Sequence, residues 1–342
     1  MKGDCEFCGC SNTLVYELSE DSAISQLFDG LLDVYTPVSV FPNAIPKNNV
    51  KLLRDFFVDD WSIFSVSREV VQQLLENICQ ERYQEEPALF TRPVGILESS
   101  DKQYLMKNSL LKTYGWDEFV REIKENNRFH TDYINNEILK LFLSCVKVTH
   151  RRGETFYRAR FCPKESSLKP KEMGPPPVDK ASAGRVNSRG ISRLYLSDNA
   201  DTTLYEIRAG VYDYVTVGEF ILKRDIEVTD LAQIDKISPF VANSMTDIDL
   251  TMHAINLDSL KKIAKEIAKP LRRHDSQLDY LPTQYISDFI KSLGSDGIQF
   301  NSTMSQDGYN LTLFDAEICE CKNTKVYDIK TISYEFEQIG IE

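Results

Sequence analysis

The chain has 342 residues, a net charge of −12 and the apolar and aromatic content of an ordinary globular protein, so it is long enough for two domains and needs no staple to fold. That negative charge works against tight binding to a phosphate backbone, whose non-specific affinity comes from Lys and Arg, so nucleic acid is not an expected partner. No charge-free apolar run reaches the roughly 18 residues needed to span a bilayer, and the start, Met1-Lys2-Gly3-Asp4-Cys5, lacks the apolar core of a signal peptide; a cytoplasmic protein with reduced cysteines is expected.

Residues 1–20 form a first segment with Cys5, Cys8 and Cys10 in a C-x2-C-x-C cluster, a spacing that offers two or three thiolates to one zinc ion. A structural zinc takes four ligands, and the downstream pair that fits by pattern is Cys319 and Cys321. Free surface thiols fit the same spacing, so a structural zinc on Cys5, Cys8, Cys319 and Cys321 stands beside that plainer alternative. Residues 21–150 read as mostly helical, with apolar stripes at Ile24, Leu27, Phe28, Leu31 and Leu32 and again at Ile134, Ile138, Leu141 and Phe142. These stripes are expected to form core. Pro37, Pro42 and Pro46 interrupt the first stretch, and 81–93 reads as a polar connection.

After His150-Arg151-Arg152-Gly153 the texture changes to short β-type runs, which sets the start of a second domain over 151–342. Strands are predicted over 154–160, 193–197, 216–222, 297–300, 309–314 and 324–332, and helices over 259–269 and 283–293, the latter stopped by Gly294. The stretch from Lys164 to Ala183, rich in Pro, Lys and Ser, is expected to be a surface loop able to fold over a site.

There is no phosphate-binding P-loop, no G-x-G-x-x-G, no H-E-x-x-H and no G-x-S-x-G, and the four His residues sit in no ligand spacing. Polar residues at element boundaries remain as candidates. Arg158 lies in the aromatic-flanked run Phe156-Tyr157-Arg158-Ala159-Arg160, where a buried guanidinium needs an anion, supplied by an internal salt bridge or by a ligand. Gly184-Arg185-Val186-Asn187-Ser188-Arg189-Gly190-Ile191 is a Gly-bounded turn, either a plain connection or a phosphate cradle. Asp198 or Asn199 caps a short helix carrying Thr202, Thr203 and Glu206, and that Glu emerges among Leu204, Tyr205 and Ile207. The run Asp296-Gly297-Ile298-Gln299-Phe300-Asn301-Ser302-Thr303 ends in hydroxyls and is followed by Tyr309-Asn310-Leu311-Thr312-Leu313-Phe314, a hairpin with a polar loop.

In this order and at these separations, with Tyr280-Leu281-Pro282-Thr283-Gln284-Tyr285 between them, the elements from about Phe156 to Asp315 resemble the RES domain, named for an Arg, a Glu and a Ser. The resemblance implies an α/β (α+β) fold related to the ADP-ribosyltransferases, and enzymes that degrade NAD, toxins usually paired with an Xre-type antitoxin. It maps the catalytic trio onto Arg158, Glu206 and Ser302, with Arg158, Arg185, Tyr195 and Ser302 binding NAD as substrate. The Arg residues would hold the pyrophosphate, Tyr195 would stack on or bond to the nicotinamide or its ribose, and Ser302 would position the ribose or the Glu. Hydrolysis or phosphorolysis of NAD, transfer of ADP-ribose to a protein or nucleic acid, and a binding module without catalysis all stay open, as does a homo-oligomer. The helical N-terminal part also resembles HEPN/RES proteins, but no His follows an Arg by the four to six residues a HEPN ribonuclease uses, and of the two cysteine pairs usual there only Cys5 and Cys8 is present.

Overall fold

A computed structural model describes residues 2–5, 9–15, 22–42, 49–164, 166–241, 246–269, 276–305 and 308–333. The chain divides into two compact units: Met1–Cys145 with Ile234–Lys262, and Val146–Gln233 with Ile263–Glu342. The first is mostly helical. Its helices include Ser22–Leu32, Arg68–Ile78 and Asn136–Ser144, beside a small sheet in which Pro93–Gly95 pairs with both Thr36–Pro37 and Lys51–Leu52. Side chains start the helices where the sequence offers them: Ser67 accepts from the Val70 N–H, and Asn135 from that of Ile138. Phe28, Leu31 and Leu32 are buried as their spacing predicts, while Leu27 stays exposed. They join Phe56, Phe57, Leu89 and Phe90 in one apolar cluster, in which each buried side chain of this size contributes about 1.5–3 kcal/mol.

The stretch 81–93, expected as a polar connection, instead folds into helices Gln80–Glu85 and Pro87–Thr91. Pro87 sits at a helix start, where its missing N–H costs nothing, and Leu89 and Phe90 are fully buried behind it.

The second unit is built on an eight-stranded sheet. In chain order its strands are β1 (Lys147–His150), β2 (Thr155–Phe161), β3 (Leu194–Ser197), β4 (Tyr214–Leu222), β5 (Ile226–Asp230), β6 (Gly297–Asn301), β7 (Tyr309–Leu313) and β8 (Cys319–Asp328). Their order across the sheet is β8-β4-β2-β3-β7-β6-β5-β1, with only β5 and β6 parallel. The helices are α1 (Ala200–Glu206), α2 (Leu250–Ala268), whose last residues belong to this unit, and α3 (Leu281–Ser292). The arrangement is α+β. Gly294 takes a left-handed φ of 87° just beyond α3, the backbone state that lets a glycine end a helix.

One face of the sheet buries Phe156, Leu194, Leu196, Phe220, Leu311 and Leu313. Met173, from the stretch expected to be a surface loop, is fully buried in that cluster, and the Arg160 guanidinium donates to the Glu172 carbonyl. An unbranched thioether filling a core gap anchors this connection to the sheet. On the other face Ala159, Val215 and Val217 pack against Ala200, Leu204 and Ile207 of the α1 region.

The feature that positions the site is a split in the sheet. β2 pairs with β4 over seven residues, Thr155 to Phe161, yet meets β3 only at Tyr157 and Ser197. Beyond that pair the strands separate.

Candidate functional site

Because β2 and β3 part after Tyr157 and Ser197, consecutive residues of both strands border one cavity of about 220 Å³. Arg158 and Ala159 line it from β2 and Tyr195, Leu196 and Ser197 from β3, while Thr203, Glu206 and Ile207 come from the α1 region. Arg185, Phe300 and Asn310 complete the wall.

Glu206 is the last residue of α1, whose start is fixed by the Asn199 side chain accepting from the Thr202 N–H at 2.8 Å. Thr203 ties the helix to β2, its Oγ1 accepting from the Ala159 N–H at 2.8 Å. A carboxylate at a helix C-terminus meets the negative end of the dipole, and here three donors offset that. Ser302 Oγ and Asn310 Nδ2 both donate to Glu206 Oε1 at 2.7 Å, and Arg185 stands 3.5 Å from Oε2. Asn310 in turn accepts from Ser197 Oγ at 2.9 Å. Ser302 is buried behind the carboxylate, held by its own N–H donating to the Gly308 carbonyl. Position 308 admits no side chain: a Cβ there would lie 2.0 Å from Thr202 Oγ1.

Arg158 is the other pole. Its Nη1 is buried, and among the described residues it has no hydrogen-bond partner and no carboxylate pairs with it. Burial pushes its guanidinium down to about 10, with repulsion from Arg160 adding to the effect, so it stays charged at neutral pH. The internal salt bridge, one of two sequence-level alternatives, is therefore not formed among the described residues.

Arg185 is already engaged. Its Nη1 donates to the Ala268 carbonyl at 3.0 Å and lies 3.4 Å from that of Ile267, and its guanidinium covers the Phe300 ring at 5.2 Å. The Tyr195 hydroxyl donates to Asn187 Oδ1 at 2.6 Å and accepts from the Val186 N–H at 3.3 Å. Burial pushes that phenol up to about 12, so it remains a neutral donor. The hydroxyl therefore braces the turn.

Arg158, Arg185, Tyr195 and Glu206 thus line one cavity, with Ser302 one bond behind it. The cysteines differ. Cys8 lies outside the described residues, and Cys319 and Cys321 sit on β8, with Cys319 in the apolar cluster and its thiol pushed up to about 12 by burial. Among the described residues no three His, Cys, Asp or Glu side chains gather around a metal position. Sequence reasoning assigned no role to Asn310, Asn187 or Gln284. A buried amide must spend its hydrogen bonds on something, but which partners these three take depends on strand register, helix rotation and turn geometry that the sequence does not display.

The RES domain family model matches residues 155–336, just over half of the chain and the whole of this cavity. The chain belongs to the RES domain family. No curated protein matches it. A solved structure it resembles is the M. tuberculosis MbcT-MbcA toxin-antitoxin complex, at 13% identity over 55% of this chain and 91% of that one, with a TM-score of 0.33. Among the described residues no helix is long and apolar enough to cross a membrane.

Proposed function

We propose that this RES domain protein binds NAD in the split of its sheet and breaks the bond between nicotinamide and ribose. The observation that carries the reading is a buried guanidinium with a free donor, Arg158 Nη1, bordering the same cavity as a carboxylate braced by Ser302 and Asn310. An unpaired buried cation selects an anionic ligand, and its planar fork suits a phosphate. The cavity is smaller than the roughly 300–1,000 Å³ that encloses a drug-sized ligand, so it takes part of a dinucleotide and leaves the rest outside.

As the C–N bond lengthens, its electron pair moves onto the nicotinamide nitrogen and cancels the ring's positive charge, while positive charge spreads over ribose C1′ and O4′. Glu206 Oε2, the oxygen not taken by Ser302 and Asn310, is the group to stabilise that charge. An acceptor oxygen then bonds to C1′ and gives up its proton. Arg158 holds the phosphate, Arg185 steadies Glu206, and the Tyr195 ring packs beside the sugar or base. Family membership further supports a toxin whose depletion of NAD is held in check by an Xre-type antitoxin.

Mass analysis of NAD incubated with the purified protein tests this. Free nicotinamide with ADP-ribose or its phosphate supports cleavage, and ADP-ribose left on a macromolecule redirects it to transfer. NAD recovered intact at high protein concentration contradicts the reading.

A further inference from the structure

The Gly184–Ile191 turn carries Arg185 but is held in place from α3. Gln284 is buried on that helix and spends every polar atom on the turn. Its Nε2 donates to the Gly184 carbonyl at 2.8 Å and to the Asn187 carbonyl at 2.9 Å, while its Oε1 accepts from Ser188 Oγ at 3.2 Å. The two carbonyls belong to the residues that bridge across the turn, on either side of Arg185 and Val186. This pattern fixes the amide's orientation, because the flipped form would set Oε1 against both carbonyl oxygens. One helical turn on, Ser287 Oγ donates to the Val186 carbonyl at 2.9 Å. From the strand side, the Tyr195 hydroxyl and the Asn187 amide close the same turn, Asn187 Nδ2 reaching the carbonyls of Ser182, Ser188 and Ile191.

We propose that Gln284 is a positioning residue for NAD cleavage: it locks the turn so that the Arg185 guanidinium reaches Glu206 while still covering Phe300. The proposal rests on the reading of this cavity as the NAD site. A long, flexible arginine placed by a loose turn would sample many positions; one whose backbone is held by three side-chain donors from α3 presents a fixed charge 3.5 Å from Glu206 Oε2. Gln284 borders neither Glu206 nor the cavity, so its influence runs through Arg185.

The test is Gln284→Met, which keeps the size of the side chain and removes both donors. Well below its melting temperature this variant is expected to lose between ~10-fold and ~100-fold in kcat, the scale of a displacement of about 1 Å at a reacting centre, with a smaller change in KM. In an Arg185→Lys background the same substitution is expected to cost little more, because the geometry it protects is already gone. Wild-type kcat in Gln284→Met, or losses that multiply in the double variant, overturn the proposal. A crystal structure of Gln284→Met adds a readout independent of turnover: the Arg185–Glu206 separation is expected to lengthen, and an unchanged 3.5 Å contact overturns the positioning role. If the wild-type protein leaves NAD intact, the NAD reading falls and this separation alone decides whether Gln284 places Arg185. Should Gln284→Met not fold, Gln284→Asn, with both donors on a shorter arm, gives the same comparison.

Discussion

Arg158 shows what a buried guanidinium without an ion-pair partner among the described residues costs in stability. Its folded-state value of about 10 lies below the ordinary 12.5, so the protonated side chain opposes folding at every pH below about 10. The corresponding penalty is at most about 3 kcal/mol, at 1.36 kcal/mol per pKa unit. Arg158→Met is therefore expected to leave the urea midpoint unchanged or to raise it, while weakening NAD binding roughly 10- to 100-fold through loss of a charge-assisted hydrogen bond. Isothermal titration beside urea unfolding checks both; a variant that loses stability and keeps affinity would show that Arg158 is structural. At this scale the sequence was informative for charges and poor for amides. Arg158, Arg185 and Glu206 stand out among apolar neighbours, whereas the hydrogen bonds of Asn310 and Gln284 depend on register and helix rotation, which no local pattern encodes.

At the level of elements, α2 buries a histidine. His253 is fully buried between the edge-on Trp61 ring at 4.9 Å and the Phe142 ring at 5.5 Å, and among the described residues neither ring nitrogen has a hydrogen-bond partner. Burial pushes it down to about 4 from the ordinary 6.5, so the folded protein keeps it neutral while the unfolded chain takes up a proton. Stability from this group is intact above pH 6.5 and declines as pH falls toward 4, by at most about 3 kcal/mol. Urea midpoints at pH 7 and pH 4.5 measure the decline, and His253→Phe is expected to flatten it; an equal decline in that variant would place the acid sensitivity elsewhere. The main strands and the helix ending at Gly294 were legible from alternation and punctuation. Two features were not. Leu89 and Phe90 were masked by the charged residues before them, and Met173 lies in a stretch whose composition reads as exposed.

For the molecule as a whole, the two units are interlaced along the chain. Residues 234–262 return to the first unit, where Phe240, Leu250, Ala254, Ile255 and Leu257 pack with its apolar cluster. A helix shows its stripe whichever core it joins, so the change of texture near residue 150 carries no trace of this return. A fragment comprising 146–342 is expected to expose that stripe, self-associate and bind a hydrophobic dye such as ANS, with Leu250→Lys and Leu257→Lys relieving both. A monomeric fragment that leaves the dye dark would mean these residues find cover without 1–145.

Cleavage of NAD in this cavity requires one dinucleotide to lie between Arg158 and Glu206. A crystal structure of the Glu206→Gln variant soaked with NAD tests it most directly. The carboxamide should slow turnover by about 100- to 1,000-fold and so trap the ligand. The expected result is a phosphate on Arg158 Nη1 and ribose C1′ beside residue 206; NAD bound elsewhere, or a variant that still consumes it at the wild-type rate, would contradict the account.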